Sequence, residues 1–220
     1  RGKDGGWIDV PALPGSFVAE TRVRDLGKMI DEIKVAGELG IETIVLHPGK
    51  LDVPGVEQEE VSEADRAVAI SYFVEWVKAA APVAESAGVV IGIENMHYIL
   101  GWVIRSHREL AESVDTIASP AVGITFDVGH AWGSGGVGAG IEILGHRIAH
   151  VQVHDARGPE GAGNVRDQHK EIGTGLIDFE MVGRFVSTKP FIVALETSGF
   201  DDDREGISIR SRDLLRELWD

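Results

Sequence analysis

GITFDVGH (123–130) decides the reading of this chain. Four mostly apolar, β-branched or aromatic positions run straight into Asp127, a turn follows at Val128-Gly129, and His130 comes three places after the acid. A strand that is apolar throughout is a parallel strand covered on both faces. A carboxylate closing such a run is not left buried without a partner. Four more runs repeat the pattern: IVLHPG ending on His47, VIGIEN on Glu94, HVQVHD with Gln152 between His150 and His154, and FIVALET on Glu196. Residues with metal-binding side chains at the carboxyl ends of successive strands are how an α/β barrel builds an active site. The expected fold is α/β, a (β/α) TIM-type barrel, and the expected chemistry is metal-dependent.

The segments between these runs have the helical period. Helices are expected over 22–39 (closed by Gly40), 59–87 (Ser62 as N-cap), 106–117, 139–146, 178–187 (Asp178 as N-cap) and 205–218. Pro82 predicts a kink or a break in the second of these. The strands fall at 42–47, 89–95, 122–128, 148–155 and 191–197, with a sixth, short one in WIDVPAL (7–13). GSGGVGAG (133–140) reads as a flexible loop over the barrel mouth, without the Lys-Ser/Thr of a phosphate loop. The strand-end positions 47, 94, 127, 152 and 196 are 47, 33, 25 and 44 residues apart. A βα unit averages about 31 residues, so one ligand per unit is the expectation. Six strands instead of eight imply that the first two βα units are lacking.

Composition narrows the function. The 220 residues are 43% hydrophobic and 26% charged, with net charge −15 and no cysteine. Oxygen and imidazole ligands remain, which suit Mn, Mg or Zn. The acidic balance weighs against a nucleic-acid partner, whose phosphates call for a basic patch. Arg204, Arg210, Arg212 and Arg216 alternate with acids at helical spacing and read as a solvated face. No uninterrupted apolar run approaches the roughly 20 residues that span a bilayer, and no signal peptide is visible. A cytoplasmic protein acting on a small molecule, with homo-oligomerisation left open, is the default reading.

Glu94 and Glu196 form a carboxylate pair able to hold a cation and exchange protons. Strand-end acids bonded to loop amides are the structural alternative. Asp127 and His130 share a strand end, and Asp167 and His169 (in DQH) share a loop face that could join them. His47 reads as a ligand or a packed rim histidine, and His154 as a group supporting the ligands from behind or as a substrate contact. Trp132 is pocket wall or core.

As a set, LHPG, IEN, FDVGHAW, HVQVHDA, DQH-x-x-IG-x-G-x-IDF and LET resemble the xylose isomerase-like barrel superfamily, which holds sugar isomerases and epimerases and also endonuclease IV. The resemblance runs from about residue 8 to the end and implies a single N-terminally incomplete barrel domain over 1–220. It implies metal ligands at Glu94, Asp127, Gln152 and Glu196, with His47, His130, Asp167 and His169 as further metal or pocket residues. Substrate contacts are implied at His47, His154, Trp132 and Asp9. Glu94 and Glu196 would be catalytic, moving a proton on a small sugar or hydroxy-ketone. Two positions depart from the nuclease pattern: Asp9 and Gln152 stand where that branch has histidine. The alternative expectation is a metal-dependent phosphodiesterase acting on abasic DNA.

Overall fold

Each apolar run becomes a parallel strand. The computed structural model describes residues 12–97, 100–161, 168–197 and 203–220. The strand expected at 7–13 falls mostly, and Asp9 and Asp167 wholly, outside the described residues. The remaining strands are β1 (Thr43–Leu46), β2 (Val90–Glu94), β3 (Val122–Asp127), β4 (Ile148–Val153) and β5 (Ile192–Leu195). They pair in chain order, all parallel, as five neighbouring strands of a barrel wall. Helices lie between them: α1 (Ala19–Glu38), α2 (Glu63–Ala87), α3 (His107–Ile117), α4 (Val128–Gly133), α5 (Val137–Leu144), α6 (Phe179–Val186) and α7 (Arg204–Trp219).

Local chemistry sets the helix ends. Ser62, Ser106 and Asp178 each accept a backbone N–H three residues on, at 3.1, 3.2 and 2.9 Å, satisfying donors a helix start leaves open. α2 stops at Gly88, whose φ of +69° is a left-handed stop. α2 does not break at Pro82. One lost backbone bond is outweighed where Val77, Ala80, Ala81 and Ala84 are buried around it. α2 is also the one described helix long and apolar enough to cross a bilayer, although charged residues interrupt it. Here it packs between α1 and α3 over the sheet. The glycine-rich stretch is also more ordered than expected. Its second half is α5, because Val137 and Leu144 are buried and Gly140 lies against Phe126 and His107, where a Cβ would come within 2.8 Å of the Phe126 ring.

Alternation along the strands divides the sheet. Ile91, Ile93, Ile124, Phe126, Val151 and Val153 form the core under the helices, all fully buried. The opposite face carries Gly92, Glu94, Thr125, Asp127, His150 and Gln152. The register places Glu94 beside Thr125, Thr125 beside His150, and Asp127 beside Gln152. The interior face is therefore polar, and its polarity increases toward the carboxyl ends.

Candidate active site

The strand ends bring the expected residues to one rim. Glu94 and Asp127 are the last residues of β2 and β3, Gln152 is the next-to-last of β4, and His47 and Glu196 follow β1 and β5 directly. His47, Glu94, Gln152 and Glu196, with Val45 and Leu46, line a cavity of about 350 Å³.

Glu94 is 2% exposed and held between two imidazoles. His130 Nδ1 lies 2.9 Å from Oε1, and His47 Nε2 lies 3.0 Å from Oε2. Burial pushes the Glu94 carboxyl up, but His130 and His47 outweigh it and hold the group below the usual carboxylate range. The same contact with Glu94 raises His47.

Asp127 is fully buried, and its oxygens have different surroundings. Oδ1 accepts the His130 backbone N–H at 2.6 Å, which starts α4, and lies 3.1 Å from His154 Nε2. Oδ2 has no hydrogen-bond partner among the described residues. Burial pushes this acid up, and His130 and His154 more than reverse the effect, so it is held below the ordinary range. Its backbone is fixed by Asn95, whose amide accepts from Asp127 N–H at 2.8 Å and donates to Asp127 C=O at 2.9 Å.

Glu196 is the counterpart with the opposite tendency. Burial, and then the negative charges of Asp127 and Glu94, push its carboxyl up to about 7. Among the described residues Oε2 is buried without a partner, as is Gln152 Oε1.

Behind this rim His130, His154 and His169 bring ring nitrogens within 4.8 Å of one another, and so do Glu94, Asp127 and His130 with one ligand atom each. His154 is fully buried and stacks on His169, with ring centroids 4.3 Å apart. Gly129 makes room for it: a Cβ there would lie 2.0 Å from the His154 ring. His169 takes a φ of +41° and places Nδ1 2.7 Å from the Glu196 carbonyl. Trp132 is half-buried, and its indole N–H donates to the Gly158 carbonyl at 3.2 Å, tying α4 to the loop after β4. His150 is one layer deeper, beside Thr125.

Two organising residues were not singled out from the sequence. Asn95 was visible as the last letter of IEN. Asp155, in HVQVHDA, is 1% exposed and accepts from the backbone N–H groups of Ala156, Gly173, Gly175 and Ile177. It also pairs with Lys170 through both backbone bonds. It thereby shapes the loop that carries His169. The G-x-G spacing at 173–175 was the available signal: a Cβ at Gly175 would meet an Asp155 oxygen at 2.1 Å.

The donor set suits a divalent cation. Asp127 Oδ2, Gln152 Oε1 and Glu196 Oε2 are acceptor atoms, buried, and without a donor among the described residues. Such oxygens are costly to bury unless something positive meets them.

Residues 9–218 match the model of the family described as Xylose isomerase-like TIM barrel. An uncharacterized protein of Methanocaldococcus jannaschii is 31% identical over 211 residues, covering 93% of this chain and 65% of that protein. A probable endonuclease 4 of Mycoplasmoides gallisepticum is 26% identical over 198 residues, covering 84% of this chain and 61% of that protein. The chain therefore spans a little under two thirds of the length of these curated relatives. Among solved structures, a D-tagatose 3-epimerase-like protein superposes with a TM-score of 0.78 at 26% identity, covering 97% of this chain and 74% of that one.

Proposed function

The chain belongs to the xylose isomerase-like TIM-barrel family, and we propose that it is a metal-dependent isomerase or epimerase of a small sugar or hydroxy-ketone. Glu94, Asp127, Gln152 and Glu196 would hold the cation. When bound, the cation supplies positive charge to offset the charge that develops on substrate oxygen.

The observation that carries this reading is the pair Glu94 and Glu196 on one cavity, with acidities displaced in opposite directions. Two titratable groups whose surroundings push them apart are an acid and a base. Glu94, kept ionised by His47 and His130, accepts the proton from the carbon next to the substrate carbonyl. The C–H electron pair moves into a carbon–carbon double bond and the carbonyl oxygen takes the charge. Glu196, which takes up a proton from solvent when substrate enters, donates it to the same carbon from the other side. The carbonyl reforms and the configuration at that carbon is inverted. Delivery to the former carbonyl carbon instead, with the proton of the adjacent hydroxyl passing to the old carbonyl oxygen, gives the isomer. Glu94 then returns its proton to solvent and Glu196 regains one.

The test is turnover of a panel of ketohexoses and ketopentoses with added Mg²⁺ or Mn²⁺. Glu94→Gln and Glu196→Gln should each lower kcat by about 10²–10⁴-fold, the usual contribution of general acid–base groups. Full turnover in both variants would rule the mechanism out.

A second reading is favoured by one feature, the His130–His154–His169 cluster beside the carboxylates, which offers room for a further ion. A phosphodiesterase of the endonuclease 4 kind would use it. The net charge of −15 opposes that reading. Chelator-sensitive cleavage of an abasic duplex would support it.

A further inference from the structure

The imidazoles at this centre are engaged with carboxylates. His47 and His130 meet the two oxygens of Glu94, at 3.0 and 2.9 Å, and His154 meets Asp127 Oδ1 at 3.1 Å. His169 Nδ1 points at the Glu196 carbonyl. On the strand level of Asp127, the position beside it is Gln152, a neutral amide. Its Oε1 is buried without a donor among the described residues, like Asp127 Oδ2 and Glu196 Oε2. His150, the nearest histidine on the same strand face, is a layer deeper, level with Thr125. The strand-end set therefore presents oxygen; His130, the imidazole within ligand distance of both Glu94 and Asp127, turns its Nδ1 onto Glu94 Oε1 at 2.9 Å and orients that carboxylate.

We infer that this centre takes a hard divalent cation, Mg²⁺ or Mn²⁺, through oxygen ligands alone, and that Gln152 is the residue that sets the choice. The inference rests on the cation placement under the proposed function. Carboxylate and amide oxygens suit hard ions, whereas an imidazole in the inner set shifts preference toward zinc and cobalt. An amide oxygen also adds no charge, so three carboxylates and one amide leave the site a net acceptor for a dication. The histidines contribute from outside by holding Glu94 and Asp127 in fixed orientations, the role that outer partners of metal ligands commonly play.

The experiment uses the purified protein loaded with one equivalent of Mn²⁺. Pulsed electron paramagnetic resonance reads whether a directly bound nitrogen modulates the signal, and competition titrations give the Zn²⁺ to Mg²⁺ affinity ratio. The wild type should show no directly bound nitrogen. Gln152→His should gain that modulation and raise the Zn²⁺ to Mg²⁺ ratio by at least about tenfold. Circular dichroism checks that the variant folds. Gln152→Glu should tighten Mg²⁺ without adding nitrogen, and stands in if the histidine variant fails to fold. Directly bound nitrogen in the wild type overturns the inference, as does an unchanged affinity ratio in a folded Gln152→His.

Ketose turnover with a nitrogen-coordinated ion would sink this inference and leave the proposed function standing. An oxygen-only Mn²⁺ signal without turnover would do the reverse. Failure to bind Mn²⁺ at millimolar concentration would overturn both.

Discussion

The Asn95 side-chain amide makes both hydrogen bonds to the Asp127 backbone, accepting from its N–H at 2.8 Å and donating to its C=O at 2.9 Å. A residue one place past β2 thus fixes the last residue of β3 and, through it, the start of α4. Asn95→Ala removes the partner of the buried Asp127 N–H and one donor to its C=O, and an unsatisfied buried group costs about 1–3 kcal/mol. The expected result is a loss of ~1–3 kcal/mol in urea unfolding together with weaker Mn²⁺ binding. A variant as stable as the wild type would show that the pair is incidental.

Gly129 is the seat of the His154 ring. Its substitution by alanine places a Cβ 2.0 Å from that ring, too close for any rotamer adjustment of the methyl. Gly129→Ala should displace His154 from Asp127 and weaken cation binding by about 10–100-fold, the usual effect of losing an outer partner. Isothermal titration with Mn²⁺ measures it. Wild-type affinity in this variant would remove His154 from the account.

These two contacts show where the sequence was legible and where it was not. The strand ends could be read because a carboxylate closing an apolar run violates the local pattern, and Glu94, Asp127 and Glu196 each do so. Asn95, His154 and Asp155 act on backbone atoms or on side chains brought close only by the sheet register. Asn95 and Asp127 are separated by 32 residues, and no periodicity links them. α4 was missed because Gly129 and Gly133 resemble a loop, and the helix is started by Asp127 acting as a cap and a site residue together. Pro82 suggested a break in α2, where tertiary burial overrides local preference.

Acid should unfold the protein partly through His107. The ring is buried at the start of α3, and burial alone pushes its pKa down to about 4 from 6.5. Between these values the unfolded chain binds a proton that the folded chain refuses, so stability rises with pH in that window. It is full above pH 6.5 and is lost as pH falls toward 4, a contribution on the order of 3 kcal/mol. Urea midpoints for wild type and His107→Gln, at pH 7 and pH 4.5, isolate the contribution. Equal acid sensitivity in the two proteins would show that His107 is not responsible.

Cation binding should release a proton from Glu196. With its carboxyl raised to about 7, the group is largely protonated at pH 6 in the free protein. A cation on Oε2 requires the ionised form, so affinity should climb with pH through about 7 and level off above it. Titrations in buffers of different ionisation enthalpy should count close to one proton at pH 6 and almost none at pH 8.5. Glu196→Gln should abolish the difference. A pH-independent count in the wild type would show that Glu196 stays ionised or lies outside the cation's reach.

The central claim is proton transfer at the carbon beside a sugar carbonyl by Glu94 and Glu196. The most direct test is to incubate the Mn²⁺-loaded protein with ketohexoses and ketopentoses in deuterated water and follow the carbon-bound hydrogens by nuclear magnetic resonance. The account predicts deuterium at the carbon next to the carbonyl in both epimers, abolished by Glu94→Gln and by Glu196→Gln. Conversion without deuterium incorporation, or incorporation that survives both substitutions, would contradict it.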